Sequence, residues 1–387
     1  MLLKDGKVFV GIEKERLSRI KHDGNNDTLA VQYCLDAEGI TINDLDLVVQ
    51  CANFDLPDPS YFGGPRLFGD PKGPPVIDIS HHLAHAYSAA GTCQFDSSTV
   101  MVIDGCGSPL NHFLQLNKNY RELVDDRFLN KSGLYFEKDS YYHFNGKTVV
   151  PLMKDFSIIE TPSENIRTLP TTKHSIGGFY AYISKYVFGN MDDVGKLMGL
   201  APFGKSPFSE LSAFRFEDEC VYVNEAWKDK LDMPAKDYQD FKTNFQYYAD
   251  VAYWAQQEIE KAIIKCISHR LNKFPHDNLC YSGGVALNAV ANARLVEEHI
   301  VKNIYIEPAA ADNGLALGCA YYGWMAYLNR KRVLHNGSTC FGMSYNEDDI
   351  SQAFGTEMHE SHKVTNFEDD ESLLAYCAKL IHEGKTM

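Results

Sequence analysis

Apolar and polar residues alternate through Lys7-Val8-Phe9-Val10-Gly11-Ile12, which predicts a β-strand, and Asp5-Gly6 just before it is a hairpin-turn signal. Only four residues precede that turn, too few for a partner strand, so the chain is expected to begin inside a motif. Over residues 27–39 the periodicity becomes helical, with Asp27 as the N-cap. Asp44 to Cys51 reads as a short buried strand, Pro57 to Pro75 as a loop, and Val76-Ile77-Asp78-Ile79 as a strand. That strand delivers the chain to Ser80-His81-His82-Leu83-Ala84-His85-Ala86-Tyr87-Ser88-Ala89-Ala90, a helix-forming segment.

A second block opens with Thr99-Val100-Met101-Val102-Ile103-Asp104, turns through Gly105-Cys106-Gly107-Ser108 and returns as His112-Phe113-Leu114-Gln115-Leu116. Residues 121–173 read as further short strands, with a hairpin turn at Asn145-Gly146, and helices are predicted over 176–187 and 244–272. A strand ending at Ser282 leads through Gly283-Gly284 into a helix from Val285 to Glu298. Asn303-Ile304-Tyr305-Ile306 is a strand that feeds a small-residue helix reaching Met325, and Glu371 to Ile381 is an amphipathic helix. Two hairpin-led blocks suggest a duplicated α/β unit with a cleft between the copies.

Composition narrows the class. With 387 residues the chain is too long for one core, and 44% apolar with 23% charged residues is globular. The net charge of −15 argues against general affinity for nucleic acid or anionic lipid. No run approaches the ~18 apolar residues of a membrane helix, and the first residues carry no signal-peptide core. Ten cysteines without C-x-x-C spacing read as reduced thiols of a cytoplasmic protein, which removes zinc-ribbon and disulfide-scaffold readings.

Four segments carry candidate chemistry. His81 and His85 lie four apart on a predicted helix, so both imidazoles face one side as a two-point metal site requires; an exposed polar helix start is the alternative. A zinc-protease reading is weak, because His82 occupies the position of its general-base Glu. Asp104, at the end of an apolar strand, suits a metal ligand or a water-positioning base, or simply an Asp-Gly turn. Gly105 and Gly107 would let backbone N–H groups approach a phosphate. Ser282-Gly283-Gly284-Val285-Ala286-Leu287-Asn288 places a Gly-Gly pair between strand and helix, with Asn288 able to point back at a ligand. Asp312 either caps the helix that follows or presents its carboxylate to the same cleft. Gly199 to Ser206 satisfies the P-loop expression, but no β-run precedes it, so that match is discounted.

Together these segments resemble the O-carbamoyltransferase family that includes the nodulation, cephamycin and tobramycin carbamoyltransferases. The resemblance rests on Glu15 to Asp23, His81 to Ala89, Gly195 to Gly204, Ser282 to Asn288 and Pro308 to Gly318, in family order over nearly the whole chain. The last two blocks are also similar to motifs of the tRNA threonylcarbamoyl-adenosine proteins. The resemblance implies an α/β fold of two RNase H-like lobes of the actin/Hsp70/sugar-kinase (ASKHA) type, with residues 1–94 and 95–345 as the lobes. It implies Fe²⁺, or another divalent metal, held by His81, His85, Asp104 and Asp312. Lys21 would contact a carbamoyl-adenylate, and Gly105, Gly107, Lys196, Gly283, Gly284 and Asn288 would bind nucleotide. His82, Asp192 and Asp193 join Lys21 as catalytic candidates.

In that family carbamoyl phosphate and ATP form carbamoyl-adenylate, and the carbamoyl group passes to a hydroxyl of a small-molecule acceptor. Two family elements are expected outside these residues: a first strand with its loop before Met1, and a YrdC-like adenylate-forming domain to which 346–387 would lead. The chain alone is therefore expected to hold metal and nucleotide without completing the reaction. Two readings compete: a small-molecule kinase of the same superfamily, which needs no His pair, and a non-catalytic nucleotide-binding module.

Overall fold

A computed structural model describes residues 1–21, 23, 28–51, 73–110, 135–158, 173–205, 207–217, 219–357 and 365–386. Two units separate, Met1–Gly342 and Met343–Met387. The strands of the first are β1 (Leu2–Lys4), β2 (Lys7–Val10), β3 (Val48–Cys51), β4 (Val76–Ile79), β5 (Ser98–Ile103), β6 (Tyr135–Phe144), β7 (Val149–Ile158), β8 (Phe214–Glu217), β9 (Cys220–Val223), β10 (Asn278–Ser282) and β11 (Asn303–Ile306). Its helices are α1 (Lys14–Ser18), α2 (Thr28–Glu38), α3 (His81–Thr92), α4 (Ile176–Phe188), α5 (Val194–Leu200), α6 (Tyr238–Thr243), α7 (Phe245–Lys273), α8 (Ala289–Glu297) and α9 (Leu315–Tyr322). The second unit carries α10 (Glu347–Glu357) and α11 (Asp370–His382), the latter exposing Leu373, Leu374, Tyr376 and Ile381.

The central sheet is mixed, in the order β11-β10-β5-β6-β7. β10 runs parallel to both β11 and β5, while β5, β6 and β7 form an antiparallel meander. Both faces are covered, so β5 is buried at all six positions. Met101 and Ile103 face α4 and α7, whereas Val100 and Val102 face α3 and α9, the period-two partition of a strand between two cores.

Two sequence expectations need correction. Asp5 (φ 51°) and Gly6 (φ 79°) form a two-residue turn in which Lys4 pairs with Lys7. The few residues before the turn therefore do form a partner strand, three residues long. Residues 135–158 form two ten-residue strands rather than several short ones. Their charged residues hid the pattern. Glu137, Lys138, Asp139, Lys154 and Asp155 are all buried, and they pair with one another and with Arg270 instead of facing water. The predicted turn at Asn145-Gly146 does join them, with Gly146 at φ 87°. The Asp27 cap, the loop from Pro57 to Pro75 in most of its length and the strand at 112–116 lie outside the described residues.

The P-loop match forms no phosphate cradle. Gly199 lies within α5, and a Cβ on Gly204 would stand 2.1 Å from the Ala249 carbonyl oxygen on α7. That glycine serves close packing. The first part of the chain holds an antiparallel pair, β1-β2, and a parallel pair, β3-β4. A groove of about 480 Å³ lies between β1 and β3, floored by Val31, Leu35, Ala316 and Ala320.

Candidate metal centre

Three segments far apart in sequence converge where β5 ends. The chain leaves β4 at Ile79 and enters α3 within two residues, so His81 and His85 occupy its first turns. Asp104 follows β5 directly, and Asp312 stands in the turn before α9. One close helix contact brings the last segment in. A Cβ on Gly318 of α9 would lie 1.8 Å from the Ala84 carbonyl oxygen of α3, so only glycine permits that approach.

His81 Nε2 lies 2.9 Å from Asp104 Oδ2 and 3.3 Å from Asp312 Oδ1. His85 Nε2 is 3.5 Å from each of the same two oxygens and 3.2 Å from His81 Nε2. All four ligand atoms fall within 4.8 Å of one another. Metal–ligand bonds of about 2.1 Å put neighbouring ligand atoms about 3.0 Å apart at right angles and about 3.4 Å apart in a tetrahedron. The spacings fit one shared cation. Both imidazoles are buried, while the Asp312 side chain is 64% exposed, which leaves a way in for exchangeable ligands.

The backbone aims Asp104. Its Oδ1 accepts from the N–H groups of Gly105 (2.8 Å) and Gly284 (3.2 Å), leaving Oδ2 for the histidines. Gly283, at φ 93°, brings the second loop in, since a Cβ there would meet the Ile103 carbonyl oxygen at 2.3 Å. Ser282 Oγ lies 3.5 Å from His85 Nδ1. Burial opposes charge on His81 and His85, but hydrogen bonds to Asp104 and Asp312 outweigh it and raise both pKa values above 6.5. Burial opposes charge on Asp104, and the bonds that Asp104 and Asp312 make to the imidazoles hold both carboxyls below 3.8. The donor set carries pre-formed negative charge at a site where a cation would replace imidazole protons.

The other predicted residues are placed as follows. His82 turns away from the cluster. It is fully buried, its Nδ1 is 2.7 Å from Ser140 Oγ, and burial depresses its pKa to about 3, so the ring is neutral. Gly107 is packed tightly, since a Cβ there would meet His82 and Glu137 within 2.8 Å. The side chain of Asn288 caps α8 by accepting from Ala291 N–H (3.0 Å) and pairs with Gln256. Asp312 is not a helix cap: Ala311 holds that position in its own turn and Gly314 holds it before α9, while the Asp312 carboxylate faces the histidines. Asp193 and Lys196 form an ion pair at 2.9 Å beside exposed Asp192, and Lys21 is exposed in the turn after α1. Among the described residues, no hydrogen bond or ion pair joins these four to the cluster.

Sequence reasoning missed Glu137, Ser108 and Glu307. Glu137 lies inside a charged run that reads as solvated, and Ser108 at a turn end, so neither carried a signal. Glu307 is buried near His85, and burial pushes its carboxyl up to about 7 from 4.5, against the opposing pull of a hydrogen bond from the Ala309 backbone. The folded state then binds this proton more tightly than the unfolded chain, so stability falls as pH rises from 4.5 through 7. Glu307→Gln should flatten that slope and melt higher than the wild type at pH 8. Parallel melting curves at pH 5 and pH 8 are the check, and unchanged slopes would contradict this assignment.

Residues 70–321 match the carbamoyltransferase N-terminus family, and the chain belongs to that family. An uncharacterised protein of Synechocystis sp. is 25% identical over 448 aligned residues, covering 100% of this chain and 65% of the relative. The nodulation protein NolNO of Sinorhizobium fredii is 27% identical, covering 83% of this chain and 45% of its own length. NolO of Bradyrhizobium diazoefficiens is 27% identical over 62% of this chain. Each of these relatives extends well beyond the matched part, so the chain spans less than two thirds of their length. Among solved structures, T. kodakarensis HypF is similar over 78% of this chain and 43% of its own, at 17% identity and a TM-score of 0.49.

Proposed function

We propose that this chain is the metal-binding transfer part of an O-carbamoyltransferase. In the proposed reaction water cleaves carbamoyl phosphate to carbamate and phosphate, and a carbamate oxygen attacks the α-phosphorus of ATP, releasing pyrophosphate and leaving carbamoyl-adenylate. An acceptor hydroxyl then attacks the carbamoyl carbon, the bond to AMP breaks, and the hydroxyl proton leaves. The observation that carries this reading is the convergence of His81, His85, Asp104 and Asp312, in a chain of this family.

His81, His85, Asp104 and Asp312 would hold a divalent cation, with Fe²⁺ chosen by family resemblance. When bound, such a cation supplies Lewis acidity to a carbonyl that nitrogen donation makes a poor electrophile. The Gly105–Gly107 turn and the Gly283, Gly284 and Asn288 segment are assigned to nucleotide. The N–H groups of Gly105 and Gly284 donate to Asp104, and those of Gly107 and Gly283 donate to backbone carbonyls, so a phosphate bound by these loops would have to displace Asp104 from the first two. Lys21 is assigned to offset phosphate charge. Asp192, Asp193 and Lys196 are assigned to the nucleotide or acceptor side. The acceptor is a small molecule bearing a hydroxyl, and the ten free thiols support a reducing, cytoplasmic setting. Among the described residues, no helix is long and apolar enough to cross a membrane.

Residues 1–94 and 95–345 are proposed as two RNase H-like lobes. In the central sheet an antiparallel pair, β6-β7, and a parallel pair, β10-β11, flank β5. The pairs β1-β2 and β3-β4 repeat those two flanks on either side of the 480 Å³ groove. Adenylate formation is assigned to a YrdC-like domain beyond this chain. Anaerobic titration of the purified chain should take up one equivalent of Fe²⁺ and bind AMP. It should release no pyrophosphate from ATP and carbamoyl phosphate. Failure to bind any divalent cation would end the reading, and pyrophosphate release by this chain alone would overturn the division of labour.

A further inference from the structure

Helix α3 is capped from outside its own segment. Ser80, the residue before it, makes no side-chain cap bond, and its hydroxyl is buried without a partner among the described residues. The first two backbone donors of the helix are satisfied elsewhere. His81 N–H donates to Ser108 Oγ (2.9 Å), and His82 N–H donates to Glu137 Oε2 (3.2 Å). The same Glu137 oxygen accepts from Ser108 N–H at 3.0 Å. Backbone bonds reinforce the joint, with Glu137 N–H donating to the Ser108 carbonyl (3.0 Å) and Gly107 N–H to the Glu137 carbonyl (2.8 Å). The remaining carboxylate oxygen is paired with Lys154 Nζ, and both side chains are fully buried.

One carboxylate thus binds the residue next to His81 and the turn that follows Asp104. We propose that Glu137, with Lys154 as its counter-ion, is a positioning residue that sets how His81 and His85 approach Asp104. The inference rests on the metal-centre reading above. Its physical basis is a charge-assisted pair of N–H···O bonds in a dry interior, where the start of a helix otherwise leaves donors unsatisfied. Groups that orient a metal ligand by hydrogen bonding commonly shift metal affinity about ten- to a hundredfold when lost, and Glu137 acts one step further out, on the helix start that carries both histidines.

Co²⁺ is the probe, added to the 387-residue chain and read by titration and by its visible absorption, which reports ligand geometry. Glu137→Gln keeps the volume and removes the charge; Glu137→Gln with Lys154→Met also removes the unpaired cation. The expected result is native circular dichroism with Co²⁺ bound about ten- to a hundredfold more weakly and an altered spectrum in the single variant. In the double variant thermal stability should recover while the Co²⁺ defect persists, which a purely structural role would not produce. Wild-type affinity and spectrum in Glu137→Gln would overturn the inference, as would affinity that recovers together with stability. Failure of both variants to fold would also overturn it, because the pair would then be a determinant of the fold. Wild-type protein that binds no Co²⁺ would instead remove the metal reading on which the inference depends.

Discussion

Replacing both His81 and His85 with alanine should weaken divalent-cation binding on the order of a thousandfold or more, while the five-stranded sheet stays folded. Half of the ligand atoms are lost, and both rings come from one face of α3, so no neighbouring imidazole replaces them. The variant also has a pH signature without metal. Asp104 and Asp312 titrate below 3.8 in the folded protein, so their stabilising effect is present above about pH 4 and is lost as pH falls through the folded values. His81 and His85 titrate above 6.5, so theirs is complete below that pH and is lost as pH rises through the folded values. The stability gap between wild type and variant should therefore be widest between about pH 4 and 6.5 and narrow on either side. Metal uptake by the wild type should release protons in that range and tighten as pH rises. Calorimetry in buffers of different ionisation enthalpy measures the release. Proton-neutral binding, or a variant that binds as tightly as the parent, would refute the assignment.

Gly318→Val should damage both fold and site. The added Cβ would fall 1.8 Å from the Ala84 carbonyl oxygen and 2.9 Å from Ser88 N, and both are backbone atoms of α3 that cannot swing aside. Helix α9 must back away, which costs about 3 kcal/mol or more by the usual scale of overpacking. It would carry Asp312 away from the histidines. Urea unfolding and Co²⁺ titration read the two effects. Gly195→Ala is the control, because nothing lies within 4 Å of its added Cβ inside α5. That change should leave cation binding untouched and stabilise the helix by up to about 1 kcal/mol. Normal cation affinity in Gly318→Val would show that α9 does not position Asp312.

Much of the architecture was legible in short-range pattern. Alternation marked β2, a continuous apolar run marked β5, helical period marked α4 and α7, and strand-to-glycine transitions marked Ser282 to Gly284. The His81/His85 spacing placed two rings on one helical face, since a 3.6-residue period brings positions four apart together. The long strands β6 and β7 were not legible, because buried ion pairs interrupt their alternation with residues that otherwise signal solvent. Asp312 was ambiguous for another reason. An aspartate before a helix serves equally as a cap or as a ligand, and no local rule separates the two.

The sequence by itself determined the strand-to-helix steps that border the site, the facing pair of imidazoles and a carboxylate at the end of a buried strand. Those features follow from periodicity and from what each residue type tolerates within about ten positions. Only the tertiary structure decided that Asp312 turns to the histidines, that Gly105 and Gly284 grip Asp104, that His82 looks away and that Glu137 closes the start of α3. Apart from the bond from adjacent Gly105, each of those depends on contacts between segments dozens to hundreds of residues apart, set by packing around β5.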